Sequence, residues 1–163
     1  MFDNEIATSA QQYNVPEVWV RAVIETESSW RPSAYRAEPQ INDASYGLMQ
    51  LLMRTAKGLG YTGAPDGLYD PAVNIDLGTK LLGQLRRSYG DDFRRIYSAY
   101  NSGKPDTWQT STQVAANVAR ALSNLEKWIT AGVSELTASP AGTGVAVLIA
   151  FVLLWAWGGK RGK

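Results

Sequence analysis

The chain has 163 residues, enough for one domain with a real core plus an appendage and too few for two full domains. Hydrophobic residues at 45% and charged residues at 19% exclude wholesale disorder, and the absence of cysteine and histidine excludes thiol nucleophiles, disulfides, zinc fingers and imidazole bases. The net charge of +1 hides a slightly acidic body, because all 15 acidic but only 13 of the 16 basic side chains fall within residues 1–140, so the basic stripe that nucleic-acid binding requires is missing.

In chain order, Met1 to Ile6 carries neither the basic nor the apolar segment of a secretory signal. Pro16 opens a helix expected to run to about Ser28, with Trp19, Val20, Val23 and Ile24 as one apolar stripe. Arg31 to Leu52 breaks into a loop rich in Pro, Ser and Asn, and a short hairpin is expected there. Asp70 and Pro71 read as N-cap and first turn of a helix that buries Ile75, Leu81, Leu82 and Leu85 and stops at Gly90. Asp92 to Tyr100 presents Phe93, Ile96, Tyr97 and Tyr100 at helical spacing, and a last long helix is expected over Thr112 to Thr130.

Composition changes sharply after Leu136. Residues 137–144 read as a flexible linker, and Val145 to Trp157 is an uninterrupted apolar run followed by a basic tail to Lys163. Counting 19 uncharged residues from Ala141 to Gly159 gives roughly 28 Å of helix, close to the hydrocarbon thickness of a bilayer. Trp155 and Trp157 stand where an interfacial aromatic belt would. The expectation is a transmembrane anchor over residues 145–159 behind a mostly helical domain of residues 1–136; the alternative is a buried C-terminal helix.

Glu27 stands out on the helix that follows Pro16. At 100° per residue it continues the stripe of Val20, Val23 and Ile24, whereas Glu25 points nearly opposite and can pair with Arg21. A glutamate so placed is partly desolvated, which raises its pKa and suits it to act as a general acid. Spacing alone also allows a glutamate that caps or reaches out from a frayed last turn.

Four groups of residues bear on that choice: Glu27-Ser28-Ser29-Trp30-Arg31-Pro32-Ser33-Ala34; Tyr46-Gly47-Leu48-Met49-Gln50 with Thr55-Ala56; Asp70-Pro71-Ala72-Val73-Asn74-Ile75-Asp76-Leu77-Gly78; and Ala99-Tyr100-Asn101-Ser102-Gly103. In this order they resemble the soluble lytic transglycosylase family, relatives of goose-type lysozyme. The resemblance covers about Val15 to Asn101 directly. It implies a lysozyme-like, mostly α fold that cleaves the MurNAc-β-1,4-GlcNAc bond of peptidoglycan without adding water and without metal or cofactor. It matches Glu27 to the family's single acid, Tyr100 to the tyrosine that hydrogen-bonds that acid, and Ser45, Met49, Gln50 and Asn101 to the sugar groove. Tyr100 is explained equally by packing on the stripe of Phe93 and Tyr97, Met49 by core filling, and Asn101 by its place at the C-terminal end of the helix. Asn74 and Gly78 read as structural.

Two departures from the family pattern bear on the reaction. The stretch from Pro32 to Gly47 is longer than in compact members and contains Glu38 and Asp43, and Asn117 stands where many relatives carry a tyrosine. A carboxylate delivered opposite Glu27 would activate water and make the protein a hydrolytic lysozyme. The third alternative is a non-catalytic peptidoglycan-binding assembly protein. The expected partners are glycan strands, a membrane through Val145 to Trp157, and other virion proteins. The expected setting is a phage particle that opens the wall during genome delivery, the alternative being a bacterial inner membrane facing the periplasm.

Overall fold

The computed structural model describes residues 1–138. Six α-helices and a small sheet follow one another as α1 (Asp3–Tyr13), α2 (Glu17–Ser28), β1 (Tyr35–Glu38), β2 (Asp43–Tyr46), β3 (Leu51–Leu52), α3 (Met53–Gly58), α4 (Pro71–Tyr89), α5 (Phe93–Ser102) and α6 (Thr112–Ala138). Met1–Leu125 forms one compact unit, which holds the cleft and all its residues, and Glu126 begins a second.

Helix α2 lies at the centre of the first unit: Trp19, Val20, Ala22, Val23, Ile24, Thr26 and Ser28 are all buried. Such an all-round apolar environment marks a core helix, not a surface one. Pro16 precedes the helix as its N-cap and Glu17 is the first helical residue. The helix stops abruptly because Ser29 and Trp30 are both left-handed, with φ of 52° and 65°. Helix α4 starts as expected, the Asp70 carboxylate accepting from the backbone N–H groups of Ala72 and Val73. Asp92 does the same for α5 through Arg95 N, at 3.3 Å.

The sheet is antiparallel in the order β1-β2-β3, with Tyr35 opposite Tyr46, Arg36 opposite Ser45, Ser45 opposite Leu52 and Tyr46 opposite Leu51. This corrects the expected fold class. The short hairpin is a three-stranded sheet, because two residues of the apolar run Leu51-Leu52-Met53 pair with β2 before the chain turns helical. The transmembrane helix of that fold class is corrected only as far as the described residues go. Among the described residues no helix is long and apolar enough to cross a membrane. The longest, α6, carries Arg120, Glu126, Lys127 and Glu135 along its length. The span expected over Val145 to Trp157 lies outside the described residues. Helix α6 also runs past Thr130 to Ala138 and takes in Thr137 and Ala138, the expected start of the linker.

Candidate functional site

The turn between β2 and β3, Gly47-Leu48-Met49-Gln50, is held from three sides. Asn74, fully buried on α4, accepts from Met49 N at 2.7 Å and donates to Tyr46 O and Leu68 O at 2.9 and 2.8 Å. Tyr100 on α5 donates to Met49 O at 2.7 Å. The Gln50 amide donates to Ala34 O and Gly47 O at 3.1 and 3.0 Å. Gly47 is required here: its φ is +72°, and a Cβ would fall 2.4 Å from both Asn74 Nδ2 and Leu68 O.

Against this turn lies a cleft of about 160 Å³, lined by Glu27 from the last turn of α2, Arg36, Glu38 and Ser45 from the strands, Gln50 from the turn, and Tyr100 and Asn101 from α5. Apolar walls come from Leu51, Leu52 and Leu81. Glu27 keeps part of its surface open to the cleft, while protein surrounds its carboxyl elsewhere. Burial pushes this carboxyl above the ordinary carboxylate range; a hydrogen bond from Tyr97 and the charges of Arg36 and Arg120 pull the other way without cancelling it. Tyr97, 1% exposed, donates that bond to Oε1 at 2.8 Å. Its own phenol is pushed well above its usual value by burial and by Glu27, so it stays a donor.

The structure therefore brings Glu27, Ser45, Gln50, Tyr100 and Asn101 to one cleft and reassigns two roles. The partner of Glu27 is Tyr97, not Tyr100, whose hydroxyl is spent on Met49 O. Both rings stack on the buried face of α5, with centroids 6.3 Å apart, and helical spacing cannot say which hydroxyl reaches across. The Met49 side chain does not line the groove. It is fully buried against Gly78, where a Cβ would lie 2.3 Å from its Sδ, because the turn aims it into the core. Asn117 on α6 donates to Asn101 Oδ1 at 3.3 Å.

The two loop carboxylates part company. Glu38 faces the cleft, and its Oε1 accepts from Arg36 Nε at 2.6 Å and from Ser45 Oγ at 3.4 Å. Asp43 is used internally: it accepts from Ala44 N, Met53 N, Arg54 N and the Arg54 guanidinium, joining β2 to the start of α3. Burial alone would raise the Asp43 carboxyl, but these donors outweigh it and hold it below its usual value. Arg36 was missed from sequence. Strand alternation opposite Ser45 was the signal that could have placed it on the cleft face. Among the described residues no group of acidic side chains is arranged to hold a metal ion.

Residues 4–123 match the family described as Transglycosylase SLT domain. A membrane-bound lytic murein transglycosylase C of Haemophilus influenzae is 36% identical over 112 residues, 60% of this chain and 30% of that protein. A transglycosylase of Enterobacteria phage PRD1 is 33% identical over 108 residues, covering 66% of this chain and 37% of the phage protein. The chain thus spans about a third of the length of these relatives. Among solved structures, the 70 kDa soluble lytic transglycosylase of Escherichia coli superposes with a TM-score of 0.68 over 78% of this chain and 24% of its own, at 20% identity, a likeness of fold.

Proposed function

The chain belongs to the transglycosylase SLT domain family, and on that premise we propose that it is a lytic transglycosylase in which Glu27 is the acid and then the base. The observation that carries this is a desolvated carboxyl, raised toward its protonated form, at the floor of a cleft rimmed by amide and hydroxyl groups. The protonated Glu27 gives its proton to the departing O4 of GlcNAc as the C1–O4 bond breaks, and the substrate's N-acetyl group stabilises C1. The Glu27 carboxylate then takes the proton of the C6 hydroxyl while O6 bonds to C1, closing a 1,6-anhydroMurNAc ring and restoring the acid. Tyr97 holds the carboxyl toward the cleft throughout. Ser45, Gln50 and Asn101 contact the sugars, and Tyr100 forms part of the wall.

Digestion of isolated peptidoglycan tests this. Anhydro ends, lighter by one water than reducing ends, are expected, and Glu27→Gln is expected to bind saccharide with nearly all turnover lost. An active Glu27→Gln would remove Glu27 from the role. One observation favours a second reading: Glu38 shares the cleft with Glu27, so a hydrolytic lysozyme would produce reducing ends instead.

The setting we propose is a phage particle that opens the wall locally during genome delivery, supported by the phage relative. Recovery of the protein from purified particles is the expected result. Recovery only from the host membrane fraction would favour the bacterial setting, which the membrane-bound murein relatives support.

A further inference from the structure

Arg36 and Glu38 stand two residues apart on β1 and share its cleft face with Ser45, the cross-strand partner of Arg36. Both Nε and Nη2 of Arg36 lie 2.6 Å from one oxygen of Glu38, Oε1. The Ser45 hydroxyl approaches the same oxygen at 3.4 Å. The Arg36 side chain is 65% exposed and that of Glu38 only 19%, so the guanidinium is the more solvent-exposed partner of the pair. The second carboxylate of the cleft is thus drawn along its own strand.

We infer that the Arg36–Glu38 pair sets the identity of the product: Arg36 holds Glu38 on the ribbon, away from any water approaching C1, and so leaves closure by O6 as the open route. This inference rests on the transglycosylase reading above and deepens it. Both routes share the first step, in which Glu27 protonates O4 and the C1–O4 bond breaks. In the ring-closing route O6 bonds to C1 and its proton passes to Glu27. In the hydrolytic route a solvent water bonds to C1 through its oxygen, and its proton passes to the Glu38 carboxylate and from there through solvent back to Glu27. Nothing is oxidised or reduced in either route, and the products differ by that one water. Release of Glu38 opens the second route. Loss of the Arg36 charge also leaves the Glu27 carboxylate a better acceptor for the O6 proton, since that charge favours its ionised form. A more basic Glu27 serves an incoming water as well as O6, so it is the double variant with E38Q that assigns any rise in hydrated ends to Glu38. Arg36 is on this reading a positioning residue.

The test is the ratio of hydrated to anhydro ends, measured by mass spectrometry on isolated sacculi digested with the full chain and its variants. The unaltered protein and E38Q are expected to give anhydro ends. R36Q is expected to raise the hydrated fraction about tenfold, equivalent to about 1.4 kcal/mol in the partition between two barriers. R36Q with E38Q is expected to return to the unaltered ratio. R36K keeps the charge without the planar fork, and an intermediate ratio is expected from it, so the proposal remains testable should R36Q fold poorly. An unchanged ratio in both Arg36 variants, or hydrated ends that persist in the double variant, would overturn it. Hydrated ends from the unaltered protein would overturn the transglycosylase reading as well, which separates the two failures.

Discussion

The Tyr97 hydroxyl reaches Glu27 Oε1 from 70 residues further along the chain and is, among the described residues, the one side-chain hydrogen bond that enters the balance of forces on that carboxyl. It opposes burial by favouring the ionised form. The acid is therefore poised between burial and the opposing contributions of Tyr97, Arg36 and Arg120, with burial the stronger.

Tyr97→Phe keeps the ring stack and removes the donor. Glu27 then holds its proton more tightly, so the decline of kcat/KM with rising pH moves to higher pH. A hydrogen bond to a charged group contributes about 1.5–3 kcal/mol, so turnover is expected to fall by roughly tenfold or more. Tyr100→Phe instead leaves Met49 O without its donor, costing about 1 kcal/mol of stability with the pH profile in place. Profiles that moved equally in both variants would return the two tyrosines to a shared packing role.

Glu27→Gln is expected to change stability in a pH-dependent way. The folded-state pKa of Glu27 is raised, so its proton stabilises the fold fully below the ordinary carboxylate pKa, and that contribution is lost as pH rises through the folded value. The amide carries no such liability. Urea midpoints of Glu27→Gln and the unaltered protein should differ little at low pH, and the variant should be the more stable at neutral pH; a variant less stable at neutral pH would contradict the direction of the shift.

Asn74→Ala strips the β2–β3 turn of three hydrogen bonds at a fully buried site, those with Met49 N, Tyr46 O and Leu68 O. The expected loss is about 3 kcal/mol or more by urea unfolding, with activity falling in parallel as the Gln50 wall loosens.

Asp43→Asn tests the other loop carboxylate. Its folded pKa is depressed, so it stabilises the protein above the ordinary carboxylate value and loses that contribution as pH falls through the depressed one. The variant should be less stable at neutral pH by about 2 kcal/mol and show a flatter acid limb. The product should stay the same, because Asp43 faces α3 and not the cleft.

Local signals were readable from the chain alone: Asp70 as a cap, the α5 stripe, and Glu27 one residue before the end of α2, where apolar periodicity carried it inward. What escaped depends on partners distant in sequence. Two tyrosines three residues apart share a face, and only the fold decides that Tyr97 meets Glu27 while Tyr100 meets Met49 O. Strand β3 is two residues long, below the length at which alternation can be seen, and exists because β2 offers it an edge. Met49 and Gln50 are adjacent in a turn whose direction is set by Gly47 and by the grip of Asn74, so one side chain enters the core and its neighbour the cleft.

The backbone bond from Gly47 N to Ala34 O, 2.8 Å long, closes the base of the β1–β2 ribbon. Everything between those residues is a loop whose ends are already joined, and doubling such a loop costs only about 0.6 kcal/mol of closure entropy. Ribbons of other lengths and sequences can therefore be exchanged at this seam, provided they restore the β2 edge that pairs with β3 and the Asp43 tie to α3, while α2, α4 and α5 keep the acid and the Gly47–Gln50 turn in place. The scaffold separates what must stay constant from what is free to diversify, and grafting at Ala34 and Gly47 is the natural way to re-engineer its chemistry.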